Sequence, residues 1–83
     1  MSYEILYTRQ AEKDYQKIKN LPALLANVKK IIGVLKTEPL TLPYEKLTGL
    51  QNTYSKRINI QHRLVYEVFA EQKIVRVIRM WTH

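Results

Sequence analysis

The spacing of apolar residues along the chain predicts a long amphipathic helix between residues 22 and 38. The apolar positions follow the offsets i, i+1, i+4, i+7, i+8 and i+11, which place one wide apolar face along a helix of about 3.6 residues per turn. Pro22 suits the first turn of this helix, and the residue before Pro39 is biased away from helix, so the helix ends there. The apolar face consists of Leu24, Leu25, Val28, Ile31, Ile32 and Leu35.

A shorter helix is predicted just before it, over residues 9–19. Thr8 immediately precedes this segment and can cap a helix by accepting a hydrogen bond from a backbone N–H. Asp14 and several lysines occupy much of the helix surface. The remaining stripe at helical spacing is narrow and consists of Ala11, Tyr15 and Ile18.

Strand-like segments lie on either side of the two helices. Residues 3–7 have strand composition, residues 54–66 read as a β-hairpin with its turn near residues 59–61, and a last strand runs from residue 74 to about residue 81. Residues 39–53 contain two prolines and a glycine and are predicted to form a loop. The order βααβββ predicts an α+β fold with the helix pair on one face of the sheet and the other face partly open.

The period-two alternation of strands assigns side chains to the two faces of this sheet. On the hairpin, Arg57 and Arg63 share the face left free if the aliphatic residues form the core, and those residues are Ile58, Ile60, Leu64, Tyr66 and Val68. His62 has the inward parity, and we interpret it as a structural histidine. In the last strand we expect Ile78 and Met80 to point inward, and the outward set to be Val77, Arg79, Trp81 and His83.

Length and charge favour a small basic domain that binds polyanions. The chain has 83 residues, which predicts one domain over residues 1–83, and 14 Lys+Arg against 7 Asp+Glu give a formal net charge of +7. This excess attracts RNA, DNA and acidic proteins alike, and it also serves solubility. The sequence has no cysteine, no apolar run near the roughly 20 residues of a membrane span and no signal peptide. We therefore expect a cytoplasmic protein that does not associate with membranes.

The free face of the hairpin gathers residues suited to cleaving a phosphodiester. Arg57 and Arg63 can hold a phosphate by bidentate hydrogen bonds and stabilise the extra charge of a pentacoordinate phosphorane. Glu45 can act as a general base, although the ordinary glutamate pKa of about 4.3 makes it a weak one. His83 extends the same face. The structural alternatives are solvated arginines, a solvated loop glutamate and a frayed terminal histidine.

Four further residues are candidates for RNA binding. Lys46 and Lys56 can contact the RNA backbone, and Tyr54 and Trp81 can stack on bases. Surface or packing roles suit all four equally well. No spacing of His, Cys, Asp or Glu indicates a metal or cofactor site, so a nuclease of this kind must take its nucleophile from the substrate. RNA supplies a 2′-hydroxyl and DNA does not, which favours RNA.

Four segments together resemble the Txe/YoeB toxins of the RelE/ParE superfamily of toxin–antitoxin modules. They are Leu-Tyr-Thr-Arg-Gln-Ala, Pro-Tyr-Glu-Lys-Leu, Tyr-Ser-Lys-Arg-Ile-Asn-Ile-Gln-His-Arg-Leu-Val-Tyr and Arg-Met-Trp-Thr-His. The resemblance implies a two-helix layer packed on a mainly antiparallel four-stranded sheet. It implies cleavage of mRNA in the ribosomal A site, beside 16S rRNA, without metal or cofactor. It also implies neutralisation by an acidic antitoxin of the Phd/YefM type in a toxin–antitoxin hetero-oligomer.

The resemblance also implies roles for individual residues. Glu45 matches the general base that acts on the 2′-hydroxyl, and Arg57 and Arg63 match residues that bind the scissile phosphate. His83 matches the general acid for the 5′-oxygen leaving group. Members of the family usually carry a tyrosine after this histidine, whereas this sequence ends at His83. We therefore expect the sequence as given to be a weakened endoribonuclease.

Two other functions fit the same charge and fold. One is a non-enzymatic toxin of the ParE type, which acts on DNA gyrase, and the presence of an acid–base pair argues against it because a pure binder needs none. The other is an RNA- or ribosome-binding module without activity, which the end of the sequence at His83 makes more credible.

Overall fold

Two helices and five strands form the fold over residues 2–41 and 43–81, the part of the chain that the computed structural model describes. The elements are β1 (Glu4–Tyr7), α1 (Arg9–Ile18), α2 (Pro22–Thr37), β2 (Glu45–Lys46), β3 (Thr53–Arg57), β4 (Arg63–Phe69) and β5 (Ile74–Arg79). The strands lie in the order β1-β5-β4-β3-β2, and neighbours are antiparallel except for the parallel pair β1 and β5. The predicted α+β class, the two-helix layer and the mainly antiparallel sheet are confirmed.

The predicted number of four strands was wrong, because a short strand lies inside the segment predicted as a loop. This strand is β2, in which Glu45 pairs with Ser55 and Lys46 with Tyr54 at the edge of β3. It is two residues long, and Pro43 stands just before it. A segment this short has no alternation that the sequence could reveal.

Both helices lie close to their predicted positions. The Ala11 N–H donates a hydrogen bond of 3.1 Å to Thr8 Oγ1, which caps α1. Pro22 is the first residue of α2, and that helix ends at Thr37, just before Pro39. The predicted apolar face of α2 is buried or half-buried in the core. Within the described residues, neither helix has the length and apolar character needed to cross a membrane.

The hairpin of β3 and β4 follows the predicted alternation along its strands and departs from it in its loop. The inward residues of β4 are buried, as predicted, and they are Leu64, Tyr66 and Val68. Ile58 is also buried, but the predicted inward position of Ile60 was wrong, because this side chain is 90% exposed. The reason is that β3 ends at Arg57, so the loop over residues 58–62 no longer has strand geometry.

A bulge in β5 reverses the alternation that the sequence predicts for its first half. The register shifts between Val65 and Tyr66 of β4, so that Ile78 is an extra residue in β5. Val77 before the bulge and Met80 after it are therefore both fully buried. The predicted outward position of Val77 was wrong, and the predicted inward position of Met80 is confirmed.

A buried carboxylate on α1 holds the end of β5 in place. Asp14 is 0% exposed, and its Oδ2 accepts hydrogen bonds from Arg79 Nε at 2.8 Å and from the Met80 N–H at 3.1 Å. Burial by itself would raise the pKa of Asp14. The hydrogen bonds from Arg79, Met80 and Gln10 outweigh that effect and hold the pKa below its ordinary value. Asp14 thus fixes the C-terminal end of β5 against α1.

Candidate active site

The open face of the sheet carries an ion pair between two residues predicted to be catalytic. Arg63 Nη1 lies 2.6 Å from Glu45 Oε1, and the same nitrogen lies 3.5 Å from Ser55 Oγ. The Glu45 side chain is 64% exposed and the Arg63 side chain 34% exposed. A ligand that arrives from solvent can therefore reach both members of the pair.

The register of three strands brings this pair together. Glu45 pairs with Ser55 in β3, and Ser55 pairs with Val65 in β4, so all three side chains share one face. Arg63 lies on that face too, because it precedes Val65 by one period of the alternation. Glu45 and Arg63 therefore meet across the intervening strand, above the small side chain of Ser55. A larger residue at that position would stand between them.

A second guanidinium group lies beside the pair. Arg57 is directly opposite Arg63 across β3 and β4, which places both arginines on one face, as predicted. Arg57 is exposed, and its Nη1 donates a hydrogen bond of 3.5 Å to Ile60 O. Like charges at directly opposite positions repel, and an anion bound between them relieves that repulsion. Two guanidinium groups against one carboxylate leave a positive excess suited to a phosphate.

These side chains line a cleft of about 340 Å³ at the edge of the sheet. The cleft reaches from the ion pair to α2, where Ile31 and Val34 form part of its lining. Lys30 of α2 adds a further cation to the lining. Three of the predicted catalytic residues are part of this lining together with Ser55, and they are Glu45, Arg57 and Arg63.

Two of the predicted RNA contacts lie on the other face of the sheet. Lys46 pairs with Tyr54, one position along from the Glu45–Ser55 pair, so both side chains point away from the arginines. The Tyr54 ring packs edge-on against Tyr44, with centroids 5.3 Å apart, and lies tilted against Tyr66 at 5.9 Å. Tyr54 is therefore a half-buried packing residue in an aromatic row, and Lys46 is an exposed lysine on the same side.

Lys56 is buried, although the sequence predicts it as a contact for the RNA backbone. Its side chain lies at 7% exposure for the residue, and Nζ donates hydrogen bonds to Thr41 O at 2.5 Å and to Pro43 O at 3.1 Å. Burial lowers the pKa of Lys56 below its ordinary value. The position does not support a contact with RNA; it connects β3 to the segment that leads into Glu45.

The Trp81 ring packs against other residues of the protein. It stacks on His62 with ring centroids 4.1 Å apart and an interplanar angle of 28°, and Lys17 Nζ lies 5.9 Å from the Trp81 ring centroid. His62 is buried, in agreement with its predicted inward position. Trp81 is half-buried, which favours its packing role over stacking on bases. His83, the predicted general acid, lies outside the described residues.

The described site residues offer two kinds of chemistry. The guanidinium groups of Arg57 and Arg63 can bind an anion, and the Glu45 carboxylate can accept a proton. Over residues 2–41 and 43–81, no group of three His, Cys, Asp or Glu side chains is placed to hold a metal ion. Sequence reasoning missed the roles of Ser55 and Lys56 here, because both follow from the unpredicted pairing of β2 with β3.

The fold has counterparts among solved toxin structures. The YoeB/ParE toxin from Agrobacterium tumefaciens is 24% identical with a TM-score of 0.87, over 96% of this chain and 98% of that one. The YoeB dimer from Staphylococcus aureus is 25% identical with a TM-score of 0.86, over 100% of this chain and 99% of that one. The toxin–antitoxin complex RelBE2 from Mycobacterium tuberculosis is 28% identical with a TM-score of 0.77, and each chain is covered over 100% of its length.

The sequence itself matches a family model. Residues 5–83 match the ParE toxin of the type II toxin–antitoxin system parDE. A search of curated protein sequences finds no match. The chain belongs to this family of type II toxins, and its fold is similar to that of the YoeB toxins.

Proposed function

We propose that this toxin is an endoribonuclease that cleaves mRNA on the ribosome, with the substrate's own 2′-hydroxyl as the nucleophile. The observation that carries the proposal is the exposed Glu45–Arg63 ion pair with Arg57 directly beside it. A proton acceptor and two phosphate-binding groups in one cleft are what an in-line attack on phosphorus requires from the protein.

In the proposed reaction, Glu45 removes the proton from the 2′-hydroxyl, and the resulting oxygen attacks the adjacent phosphorus. The bond to the 5′-oxygen breaks, which leaves a 2′,3′-cyclic phosphate on one product and a 5′-hydroxyl on the other. Arg57 and Arg63 stabilise the negative charge that builds up on the phosphorane. The resemblance to the YoeB toxins assigns protonation of the leaving oxygen to His83.

The need for a 2′-hydroxyl gives a reason for RNA as the substrate, and the net charge gives a reason for the ribosome as the place of reaction. DNA has no 2′-hydroxyl and therefore cannot supply the nucleophile. The net charge of +7 draws the toxin toward a large polyanion such as the ribosome. A bound mRNA held in the A site would present a single nucleotide in a fixed conformation, which favours in-line attack.

An antitoxin partner belongs to the same proposal. The YoeB–YefM toxin–antitoxin from Staphylococcus aureus is a heterotetrameric complex, and RelBE2 from Mycobacterium tuberculosis is also a toxin–antitoxin complex. For this chain we expect an acidic, partly disordered segment of a Phd/YefM-type antitoxin to cover or distort the region of Arg57 and Arg63. Such a segment would gain order on binding and pair its carboxylates with the arginines.

Mapping of mRNA ends after incubation with programmed ribosomes tests the proposal. We expect cleavage that leaves a 2′,3′-cyclic or 3′-phosphate and a 5′-hydroxyl, and that persists in a chelator under conditions that keep the ribosome intact. A 2′-methoxy group on the target nucleotide should abolish cleavage at that site. Activity lost in chelator and restored by magnesium would contradict the mechanism.

The same preparation distinguishes the rival functions. A ParE-type toxin would leave mRNA intact and inhibit supercoiling by DNA gyrase. An inactive binding module would cosediment with ribosomes and affect neither mRNA nor gyrase. Either result would replace RNA cleavage as the function of this site.

A further inference from the structure

We propose that Lys56 is a positioning residue that fixes Glu45 against Arg63 in the cleft. The inference rests on the proposed function, because it assigns Lys56 a task in RNA cleavage. The buried Lys56 ammonium group joins β3 to the segment that precedes the short strand of Glu45.

The ladder between β2 and β3 ends at the candidate base itself. Glu45 pairs with Ser55, and the same register would next pair Tyr44 with Lys56. The chain leaves the sheet at this point, and Pro43 has no N–H with which to continue a ladder. Glu45 is therefore the last paired residue of an edge strand, and its backbone has ladder support on one side only.

The Lys56 side chain substitutes for the missing ladder. Its Nζ donates to Thr41 O at 2.5 Å and to Pro43 O at 3.1 Å, immediately before Tyr44 and Glu45. A third hydrogen bond to this segment runs from the Tyr66 hydroxyl to Pro39 O at 2.9 Å, but it lies further from the glutamate along the chain. Among the described residues of this segment, the side-chain hydrogen bonds nearest to Glu45 are thus those of the Lys56 ammonium.

Stability alone does not explain a lysine at this position. Burying a charged group is unfavourable unless its partners compensate, and the two carbonyl partners of Lys56 are uncharged. A methionine of similar length would avoid the cost of burying the charge and would lose the hydrogen bonds to the Thr41 and Pro43 carbonyl groups, so the two effects on stability oppose each other. The two directional hydrogen bonds of Lys56 do, however, fix the path of the backbone that enters β2. Small errors in the placement of a catalytic group reduce rates strongly, so this path matters for Glu45.

The test compares Lys56→Met, Lys56→Arg and the control Lys29→Met, which removes one charge from an exposed position on α2. Three quantities are measured: the melting temperature, amide hydrogen exchange of residues 45–47, and single-turnover mRNA cleavage at varied concentrations of programmed ribosomes. Exchange reports on the anchoring of β2 without reference to activity. The cleavage series separates the rate at saturation from the ribosome concentration that gives half of that rate.

For Lys56→Met we expect faster exchange at residues 45–47, a melting temperature close to that of the unaltered protein, and a saturated cleavage rate lower by about 10-fold to 100-fold. Its half-saturating ribosome concentration should match that of Lys29→Met. Lys56→Arg, which keeps the charge and its donors, should retain most of the rate.

Unchanged exchange, or a saturated rate equal to that of Lys29→Met, would overturn the positioning role while leaving RNA cleavage in place. A rate loss matched by a lower melting temperature would reduce Lys56 to a stabilising residue and would also overturn the proposal. If the unaltered protein cleaves no mRNA, the proposed function fails. Faster exchange in Lys56→Met would then identify Lys56 as a loop anchor without a catalytic task.

Discussion

Two ion pairs of the same type, Arg63–Glu45 and Arg76–Glu67, lie on the open face of the sheet. Their shortest distances are nearly equal, at 2.6 Å for Arg63–Glu45 and 2.5 Å for Arg76–Glu67. Glu67 lies within the long strand β4 and is directly paired with Arg76 in β5. Glu45 begins a strand of two residues at the edge of the sheet and reaches Arg63 across β3.

The immediate neighbours of the two pairs differ as well. The residue directly opposite Arg63 is another arginine, Arg57, whereas the residue directly opposite Arg76 is its own acidic partner. The Arg63 pair therefore has a positive excess and faces a cleft, and the Arg76 pair is balanced within the sheet. The comparison shows that an arginine–carboxylate contact does not by itself mark a functional site. Its neighbours in the register decide whether the charge around the pair is balanced or positive.

Exchanging each carboxylate for an amide should produce the largest difference between the two pairs, and the quantity that differs is the rate of mRNA cleavage. Glu45→Gln removes the proposed base while keeping the size of the side chain, so we expect single-turnover mRNA cleavage to fall by about 10²–10⁴-fold. Glu67→Gln makes the same chemical change in the other pair and should leave the cleavage rate close to that of the unaltered protein. Equal rates for the two variants would show that Glu45 is not the base.

A third ion pair, Asp14–Arg79, extends the comparison to a buried carboxylate. Asp14→Asn removes the buried charge that accepts hydrogen bonds from Arg79 and Met80, while water can still solvate the Arg79 side chain, which is 38% exposed. We expect this change to lower the free energy of unfolding by about 1–3 kcal/mol. Chemical denaturation of the variant measures this loss. A variant as stable as the unaltered protein would contradict the role of Asp14 as the anchor of β5.

The same carboxylate predicts how stability depends on pH. The pKa of Asp14 is lower in the folded protein than its ordinary value, so the folded state holds the charged form more strongly than the unfolded state does. This stabilisation is fully present above the unfolded pKa, which is about 3.9, and is lost as the pH falls through the folded pKa. Thermal unfolding between neutral pH and pH 2 should show a smaller acid-induced loss in Asp14→Asn than in the unaltered protein.

The two pairs on the open face, each of which has at least one side chain about half exposed or more, should differ least in their effect on stability. Exposed ion pairs contribute about 0–1 kcal/mol, because water screens them and ordering the side chains is unfavourable. Arg63→Ala and Arg76→Ala should therefore both lie within about 1 kcal/mol of the unaltered protein in denaturant unfolding. A much larger loss for Arg63→Ala would mean that this pair holds the edge of the sheet together.

Elements with a long periodic pattern could be predicted from the sequence, and short or irregular ones could not. The six apolar positions of α2 and the alternation of β4 repeat often enough to fix both the element and its buried face. In β5, the bulge at Ile78 shifts the alternation by one residue, and no residue type in the sequence indicates a bulge at this position. β2 has two residues and contributes no pattern at all.

The residues of the candidate site also fall into those that the sequence predicts and those that it does not. The matched faces of Arg57 and Arg63 follow from their own hairpin, so the sequence predicts them. The partner of Arg63 depends on the pairing of β2 with β3, which is a contact between distant segments. Asp14 and Lys56 are charged residues that sequence reasoning leaves on the surface. Both are buried in the structure. The sequence does not reveal this, because their hydrogen-bond partners are backbone groups or residues far along the chain.

Single-turnover cleavage by Arg63→Ala and Arg76→Ala on programmed ribosomes tests most directly whether the pair beside Arg57 is the catalytic one. Each variant removes one guanidinium group from the same face, so the two should weaken ribosome binding to a similar degree. We predict that the rate at saturating ribosomes falls by about 10²–10³-fold for Arg63→Ala, because it loses a donor to the transition state, and stays close to that of the unaltered protein for Arg76→Ala. Equal rates at saturation would contradict the assignment of the cleft as the site of RNA cleavage.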